Sequence, residues 1–322
     1  MIHAPQLIVS HAPFWHDGSS VRSRSCHTMA AAAPAAFVGV IIYGMPAVAV
    51  LCLSMATAMF WEALFNKAAR RPVTIGDGNA ALIGLLLAMM LPATTPWWAV
   101  VTGTFLAVVI AKQIYGGIGA NPFNPVALSI AILTVAWTML MDVDNALRSY
   151  DLGFNMIYPL GAIKAFGPDR AADYSLVDLF IGRQAGGLGT GCGAALIIGG
   201  AYLMARGMVR WEIALSFLAG LFVTALLFNI FAPARFAGPG FHLLAGSALF
   251  AAFFLAPEDS SSPVNLLPML VYGAAGGMLT ILIRNIGAFA DGTVLAVLMI
   301  NLVSPLLDKI KPPAIGKVDQ DA

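Results

Sequence analysis

Three polar turns interrupt this apolar chain where residue types and spacing allow chemistry. The first is Asp77, Gly78 and Asn79, entering the shortest apolar run. The second is KQIYGGIGANPFNP, in which Lys112 is followed by Gly116, Gly117, Asn121 and Asn124. The third is Asp291 with Gly292, opening the last apolar run. Glycine lets backbone approach a bound group closely, and Asn124 before Pro125 is an N-cap followed by proline at the first helical position. Free N–H groups at such turns can bond the carbonyls or phosphate of a flavin, or the turns can help form a cation site. Each turn also has a plainer reading as a cap and nothing more. Lys112 and Arg284 end two apolar runs, and either neutralise a bound anion or carry their charge out to the membrane interface. Asn301, an amide in mid-helix, is expected to bond a neighbouring helix. No carboxylate is expected at mid-membrane depth, because Glu62 lies near the end of a run and Asp291 opens a helix.

The elements that must position these turns are membrane helices. Hydrophobic residues make up 59% of the 322 and charged residues 10%, against about 25% charged in a soluble domain. The net charge of +1 and the dispersed Lys and Arg offer no basic field, so nucleic acid is not an expected partner. Cys26, Cys52 and Cys192 are isolated, which excludes an iron–sulfur cluster or structural zinc built within the chain. Four of five histidines precede the first apolar run, so a bis-His haem in the bilayer is excluded too.

Apolar runs bounded by Pro, Gly and charge fall at 29–43, 47–65, 79–91, 97–114, 125–141, 191–205, 213–231, 241–256, 266–283 and 293–307. Several are shorter than the roughly 20 residues that span a bilayer, so some helices are broken or end inside the protein. With a cytoplasmic N-terminus, 11 of the 17 basic residues fall on the inner side, which favours both termini in the cytoplasm. The expected division is a cytoplasmic arm (1–28), a first five-helix unit (29–141), a periplasmic loop (142–190), a second five-helix unit (191–308) and a cytoplasmic tail (309–322).

The two units share their punctuation. GDGNAALIGLLLAMMLPATTPWW, from Gly76, and GPGFHLLAGSALFAAFFLAPEDSSSPVN, from Gly238, each run Gly-x-Gly, short apolar helix, Pro, polar turn, Pro. Pro92 pairs with Pro257 and Lys112 with Arg284, at offsets of 165 and 172 residues. Five spans fit in that offset, and an odd number reverses direction. The expected fold is an all-α polytopic membrane protein of about ten helices in two inverted five-helix repeats, with the functional centre where short helices meet.

RRPVTIGDGNAALIGLLLAMMLPATTPWW, KQIYGGIGANPFNPVALSIAIL, YSLVDLFIG, HLLAGSALFAAFFLAPEDSSSPV and DGTVLAVLMINLVSPLLD together resemble the D subunit of the Rnf electron-transport complex. More distantly, they resemble the B subunit of the sodium-translocating NADH:quinone reductase. The resemblance covers almost the whole chain. It implies a bacterial inner-membrane subunit of a complex that couples electron transfer between NADH and ferredoxin to sodium or proton movement. The implied partners are the bilayer and the iron–sulfur, flavin and NADH-binding subunits; the implied cofactor is flavin. Glu258 and Asp259 are then a cation site, a contact with an iron–sulfur subunit, or a solvated acidic turn.

In that family one FMN is joined through phosphate to a threonine in a Ser-Gly-Ala-Thr-Pro-Leu type segment. LGFNMIYPLGAIK keeps Gly153, Phe154, Pro159 and Leu160 but places Asn155, Met156, Ile157 and Tyr158 where Ser-Gly-Ala-Thr would stand. A phenol behind a β-branched residue is a poor substitute for an aliphatic hydroxyl in a small flexible motif. Covalent FMN is therefore not expected at Tyr158, and Thr190 lacks the motif. Tyr158 either stacks on a non-covalently held riboflavin or FMN, or fills the vacated pocket. The rival function is a channel or transporter for a small solute or ion without a redox centre, and a third reading is a structural subunit.

Overall fold

The computed structural model describes residues 20–150 and 152–310. The arm before residue 20 and the tail after residue 310 lie outside the described residues. All regular structure among the described residues is helical. Ser20 caps α1 (Val21–Tyr43) by accepting from the Ser23 amide at 3.1 Å. Gly44, with φ at 69°, turns the chain into α2 (Met45–Ala68), which has proline in its first turn. Then follow α3 (Asn79–Met90), α4 (Trp97–Phe105) and α5 (Pro125–Ala136). Short helical pieces α6 (Thr138–Met141), α7 (Val143–Ala146), α8 (Pro159–Phe166) and α9 (Leu176–Ile181) lead to α10 (Gly193–Ala205) and α11 (Trp211–Phe231). The chain closes with α12 (Pro239–Leu244), α13 (Ala248–Phe250), α14 (Leu266–Asn285) and α15 (Thr293–Leu307).

Every apolar run read from the sequence is helical. Among the described residues, α1, α2, α11 and α14 are long and apolar enough to cross a membrane, and the others are shorter. Two runs break for visible reasons. The 125–141 run stops at Trp137, whose φ of −132° and ψ of 61° leave the helix. The 241–256 run is interrupted at Ala245–Ser247, where Gly246 sits at φ 73° and a Cβ would lie 2.9 Å from the Asp291 carboxylate. Two helices also loosen: α4 continues as a π-helix over Leu106–Gln113, and α13 does so over Ala251–Leu255. π-turns are rare and collect at functional sites.

Apolar lipid does not drive helices together, so close packing must do so, and small residues permit it. α11 and α14 meet most closely: a Cβ on Gly277 would stand 2.0 Å from the Phe217 carbonyl, and one on Gly220 would stand 2.3 Å from that of Ala274. α1 lies along α10, with Gly199 against the Ala31 carbonyl, and α5 lies against α15. These two contacts join the first group of helices to the second.

The 142–190 segment is not wholly a surface loop. Its first part forms α7 to α9, but residues 184–190 are all buried. The Leu188 amide donates to the Leu91 carbonyl at 3.0 Å and the Gly189 amide to that of Met89 at 2.7 Å, so the loop caps the end of α3. A Cβ on Gly187 would sit 2.7 Å from the Met90 carbonyl, which explains the glycine run in GLGTG.

Gly277→Ala should lower the stability of the full chain in detergent by about 1–3 kcal/mol, because backbone cannot yield as a side chain does. Gly76→Ala, whose new methyl meets nothing within 4 Å, should melt close to wild type. Paired thermal melts test this, and equal melts would contradict the tight α11–α14 approach.

Candidate functional site

The polar turns gather into two clusters. The first surrounds a cavity of about 610 Å3 between the start of α1, the N-termini of α3 and α5, the turn after α10 and the turn after the second π-helix. Its volume lies in the usual range for small-molecule sites. Of the residues expected from sequence, Asn79, Lys112, Asn121 and Asn124 line it. Asp77 and Gly78 stand behind Asn79. Gly78 holds a left-handed φ of 70°, and Asp77 accepts from the Asn79 amide at 2.8 Å to start α3. Gly116 and Gly117, at φ 126° and 103°, form the turn that leaves the π-helix and do not line the cavity.

Lys112 does not reach for the membrane interface. Its ammonium donates to Glu62 at 2.9 Å, with the lysine side chain 2% exposed and the glutamate 1%. The π-helix brings Gln113 to the same carboxylate oxygen at 2.9 Å, although neighbours on an α-helix would point about 100° apart. Thr74 donates there as well, at 3.1 Å. The second oxygen, Oε2, has no partner among the described residues. Glu62, near the end of α2, is therefore an acid fully buried within the protein.

At the cavity's far wall, Asn124 caps α5 by accepting from the Val126 and Ala127 amides at 3.0 Å each, and donates to the Leu255 carbonyl at 3.0 Å. One asparagine thus ties the start of α5 to the end of the second π-helix. In the amide orientation that satisfies its neighbours, Asn301 accepts from the Asn124 amide at 2.8 Å and donates to the Val297 carbonyl and the Tyr272 hydroxyl. Its expected bond to a neighbouring helix is present. Glu258 is not a solvated turn residue: Oε1 accepts from Asn121 at 3.1 Å, and Oε2 accepts from the Ser261 amide at 3.1 Å and hydroxyl at 2.6 Å. Burial raises its carboxyl above the ordinary range, and the hydrogen bonds from Ser261 and Asn121 offset this in part. Asp259 pairs with Arg24 at 2.6 Å over the cavity mouth.

The second cluster holds Tyr158, Asp291 and Gly292. Asp291 lies one residue before the Gly292 N-cap of α15, accepts from the Thr293 amide at 3.3 Å and is ringed by further donors. Arg284 reaches it at 3.0 Å, the Ser247 amide and hydroxyl at 2.8 and 2.6 Å, and the Tyr158 hydroxyl at 3.2 Å, while the Thr293 hydroxyl makes a short bond. Arg284 also donates to the His242 carbonyl at 2.6 Å, so this cation too is turned inward and not toward the interface. Gly292 packs its α-carbon against Ile283, where a Cβ would be 2.4 Å away. Beside this cluster, a pocket of about 400 Å3 is lined by Leu152 to Asn155, Asp173 to Ser175, Asp178 and Arg183.

The covalent-flavin segment can be tested against this geometry. Residues 152–158 carry no aliphatic hydroxyl. The Tyr158 hydroxyl is engaged with Asp291, and its backbone amide is held by Asp144. Thr190 is buried, with its hydroxyl on the Gly187 carbonyl at 3.4 Å. The residues present do not fit a phosphoester-linked FMN at this segment.

Sequence reasoning passed over Glu62 and Gln113 as site residues, and also Tyr272, Ser247 and Thr293. Glu62 did leave a signal: it is the lone acid in a 24-residue apolar helix, in a chain whose first π-helix carries a lone lysine.

Broken helices, inward-turned ion pairs and a polar cavity among apolar helices define a polytopic membrane protein built around an internal site. The profile of the NQR2, RnfD, RnfE family matches residues 8–316, and the chain belongs to that family. It is 34% identical over 318 residues to the D subunit of the ion-translocating oxidoreductase complex of Halorhodospira halophila, covering 89% of each chain. Against the protein of the same name from Cronobacter sakazakii it is 31% identical over 342 residues, covering 95% of this chain and 98% of the relative. Against that of Escherichia coli K12 it is 30% identical over 345 residues, covering 95% and 97%.

Removing one partner of a buried pair leaves an uncompensated charge, at a cost of about 3–5 kcal/mol. Lys112→Met should therefore destabilise the chain by that order, and the double variant Glu62→Leu with Lys112→Met should recover much of the loss. Thermal melts in detergent check this; a double variant no better than Lys112→Met would show that the pair is not the source of the loss.

Proposed function

We propose that this chain is the D-type membrane component of an Rnf-type complex, in which electron transfer between NADH and ferredoxin is coupled to sodium or proton translocation. The observation that carries the proposal is similarity along nearly the full length of both chains to proteins bearing that name. In this reading the ten apolar helical runs form two inverted five-helix repeats in the bacterial inner membrane, with both termini cytoplasmic. Iron–sulfur, flavin and NADH-binding chemistry comes from partner subunits, and the isolated chain has no turnover.

The same reading places a flavin, riboflavin or FMN, non-covalently in the 610 Å3 cavity. Bound there, it would supply a one-electron carrier within the membrane part of the complex. Phe253 and Phe254 give the cavity an aromatic side, Asn79 and Asn124 bring the starts of two helices to it, and Lys112 lines its wall. Helix N-termini favour the electron-rich edge of such a ring or a phosphate.

The experiment is to purify the native complex, denature it on a gel, and look for flavin fluorescence on the band of this chain while extracting free flavin. The expected result is a dark band and extracted flavin that falls when Leu86→Trp narrows the cavity. A fluorescent band would overturn non-covalent binding. Flavin content that does not depend on this chain would overturn the cofactor assignment and favour an ion-conducting or structural role.

A further inference from the structure

The 142–190 segment, expected from sequence to be a periplasmic loop, carries an apolar helix face that the described residues leave largely open. On α9, Leu176, Val177, Phe180 and Ile181 are 51, 63, 40 and 52% exposed. Successive residues turn by about 100°, so these four share one side of the helix. Leu179 points away from them and is buried, while Asp178 lines the 400 Å3 pocket together with Arg183, its ion-pair partner at 3.6 Å.

The depth of α9 follows from its neighbours. α1 places Arg24 and Tyr43 about 29 Å apart at 1.5 Å per residue, the thickness of a bilayer's hydrocarbon core. α10 runs antiparallel beside it: Arg24 donates to the Met208 carbonyl just past its end, the His27 ring meets the Tyr202 hydroxyl at 2.7 Å, and Gly199 lies against the Ala31 carbonyl. Counted along these two helices, Gly193 at the start of α10 stands about 9 Å short of the level of Tyr43. A Cβ on Gly193 would lie 3.5 Å from the Phe180 carbonyl, which puts the C-terminal end of α9 at the same depth. The backbone there is furnished for a place without water. The Asp178 carbonyl accepts from the Gly182 and Arg183 amides at 3.0 and 2.8 Å, Gln184 donates to the Leu179 carbonyl at 3.2 Å, and the Cys192 thiol donates to that of Ile181 at 3.2 Å. A helix end facing water can leave such carbonyls to solvent, whereas lipid requires the protein to meet them.

We propose that the exposed face of α9 is seated in the leaflet at the Tyr43 end of α1, with lipid acyl chains as its occupant. At about 20 Å, α10 is too short to cross the hydrocarbon core. α9 supplies the missing stretch of wall, and its apolar side continues toward Ile197 and Ile198, exposed one turn further along α10. Gln184 fastens the two pieces, since it also donates to the Gly191 and Leu244 carbonyls at 2.8 and 3.0 Å. The inference depends on neither the flavin assignment nor the identity of the complex.

The test places single nitroxide spin labels on the full chain in lipid nanodiscs. Cys26 and Cys52, the exposed cysteines, are replaced by serine, and buried Cys192 is kept. Labels go on Val177→Cys and Ile181→Cys, with Ile198→Cys as the lipid reference and Ala172→Cys, in the charged stretch PDRAAD, as the water reference. Oxygen concentrates in lipid and a nickel chelate in water, so the ratio of their collision rates reads the surroundings of each label. Positions 177 and 181 should match 198 and lie well above 172. Ratios at 177 and 181 that match 172 overturn the proposal, because the face then stands in water. Labels at 177 and 181 that are shielded from both reagents in the purified native complex overturn it too, because a partner subunit then covers the face. Should the labelled chains fail to fold, a lipid with a photoactivatable diazirine in its acyl chain is cross-linked to the wild-type chain and the adducts are mapped by mass spectrometry. Adducts within Leu176–Ile181 are expected, and their absence beside adducts on α10 overturns the proposal.

Discussion

A charge held in a low-dielectric interior must be neutralised where it sits, and the broken helices of this protein are arranged around that requirement. Lys112 and Arg284 end helices that in a soluble protein would deliver their charge to water. Here each is turned inward onto a carboxylate, at 2.9 Å from Glu62 and 3.0 Å from Asp291. The π-helix of Leu106–Gln113 makes the first pairing possible by bringing Lys112 and Gln113 to one oxygen. The break at Ala245–Ser247 makes the second possible, since the freed Ser247 amide and the Ala245 carbonyl then serve Asp291 and Arg284 respectively. Irregular backbone inside a membrane protein is tolerable when its polar groups are met within the protein, and here the ion pairs help to meet them.

The two pairs are built differently. Lys112 takes its acid from an earlier helix, α2, and Arg284 from the turn that opens the helix after it, α15. At the start of α5 stands Asn124, a neutral cap that bridges to the Leu255 carbonyl and meets Asn301. The consequence is an asymmetry of stiffness and charge. The Asp291 end is cross-linked by a dense ring of donors, whereas the Asn124 end is neutral, opens on the cavity, and has an unmatched Glu258 beside it.

Much of this was legible in the sequence, because lipid imposes a simple code. The apolar runs appear as helices, two of them broken, and the cap at Asn124 stands where expected. What could not be read was direction. Lys112, Arg284 and Glu258 were visible as charges near run ends, but whether such a side chain turns to water or inward depends on a π-turn or a break that leaves little trace in composition. The partners Glu62 and Lys112 are 50 residues apart, and no local pattern links them. The buried loop at 184–190 was hidden for another reason. Its glycines look like a flexible surface connection, yet Gly187 and Gly189 are small because backbone and side chains of α3 lie against them.

Tyr158 shows how a departure from a family pattern can be structural and not merely a loss. With small residues at 155–158 the segment would be free to present a hydroxyl outward. With Tyr158, the phenol spans to Asp291, the backbone amide is held by Asp144, and the ring packs with Leu160 over Gly246. The segment thereby becomes one more strut of the Asp291 ring. Tyr158 is fixed between the 142–190 segment and the start of α15. Space, aromatic surface and helix ends coincide instead at the cavity beside the other break.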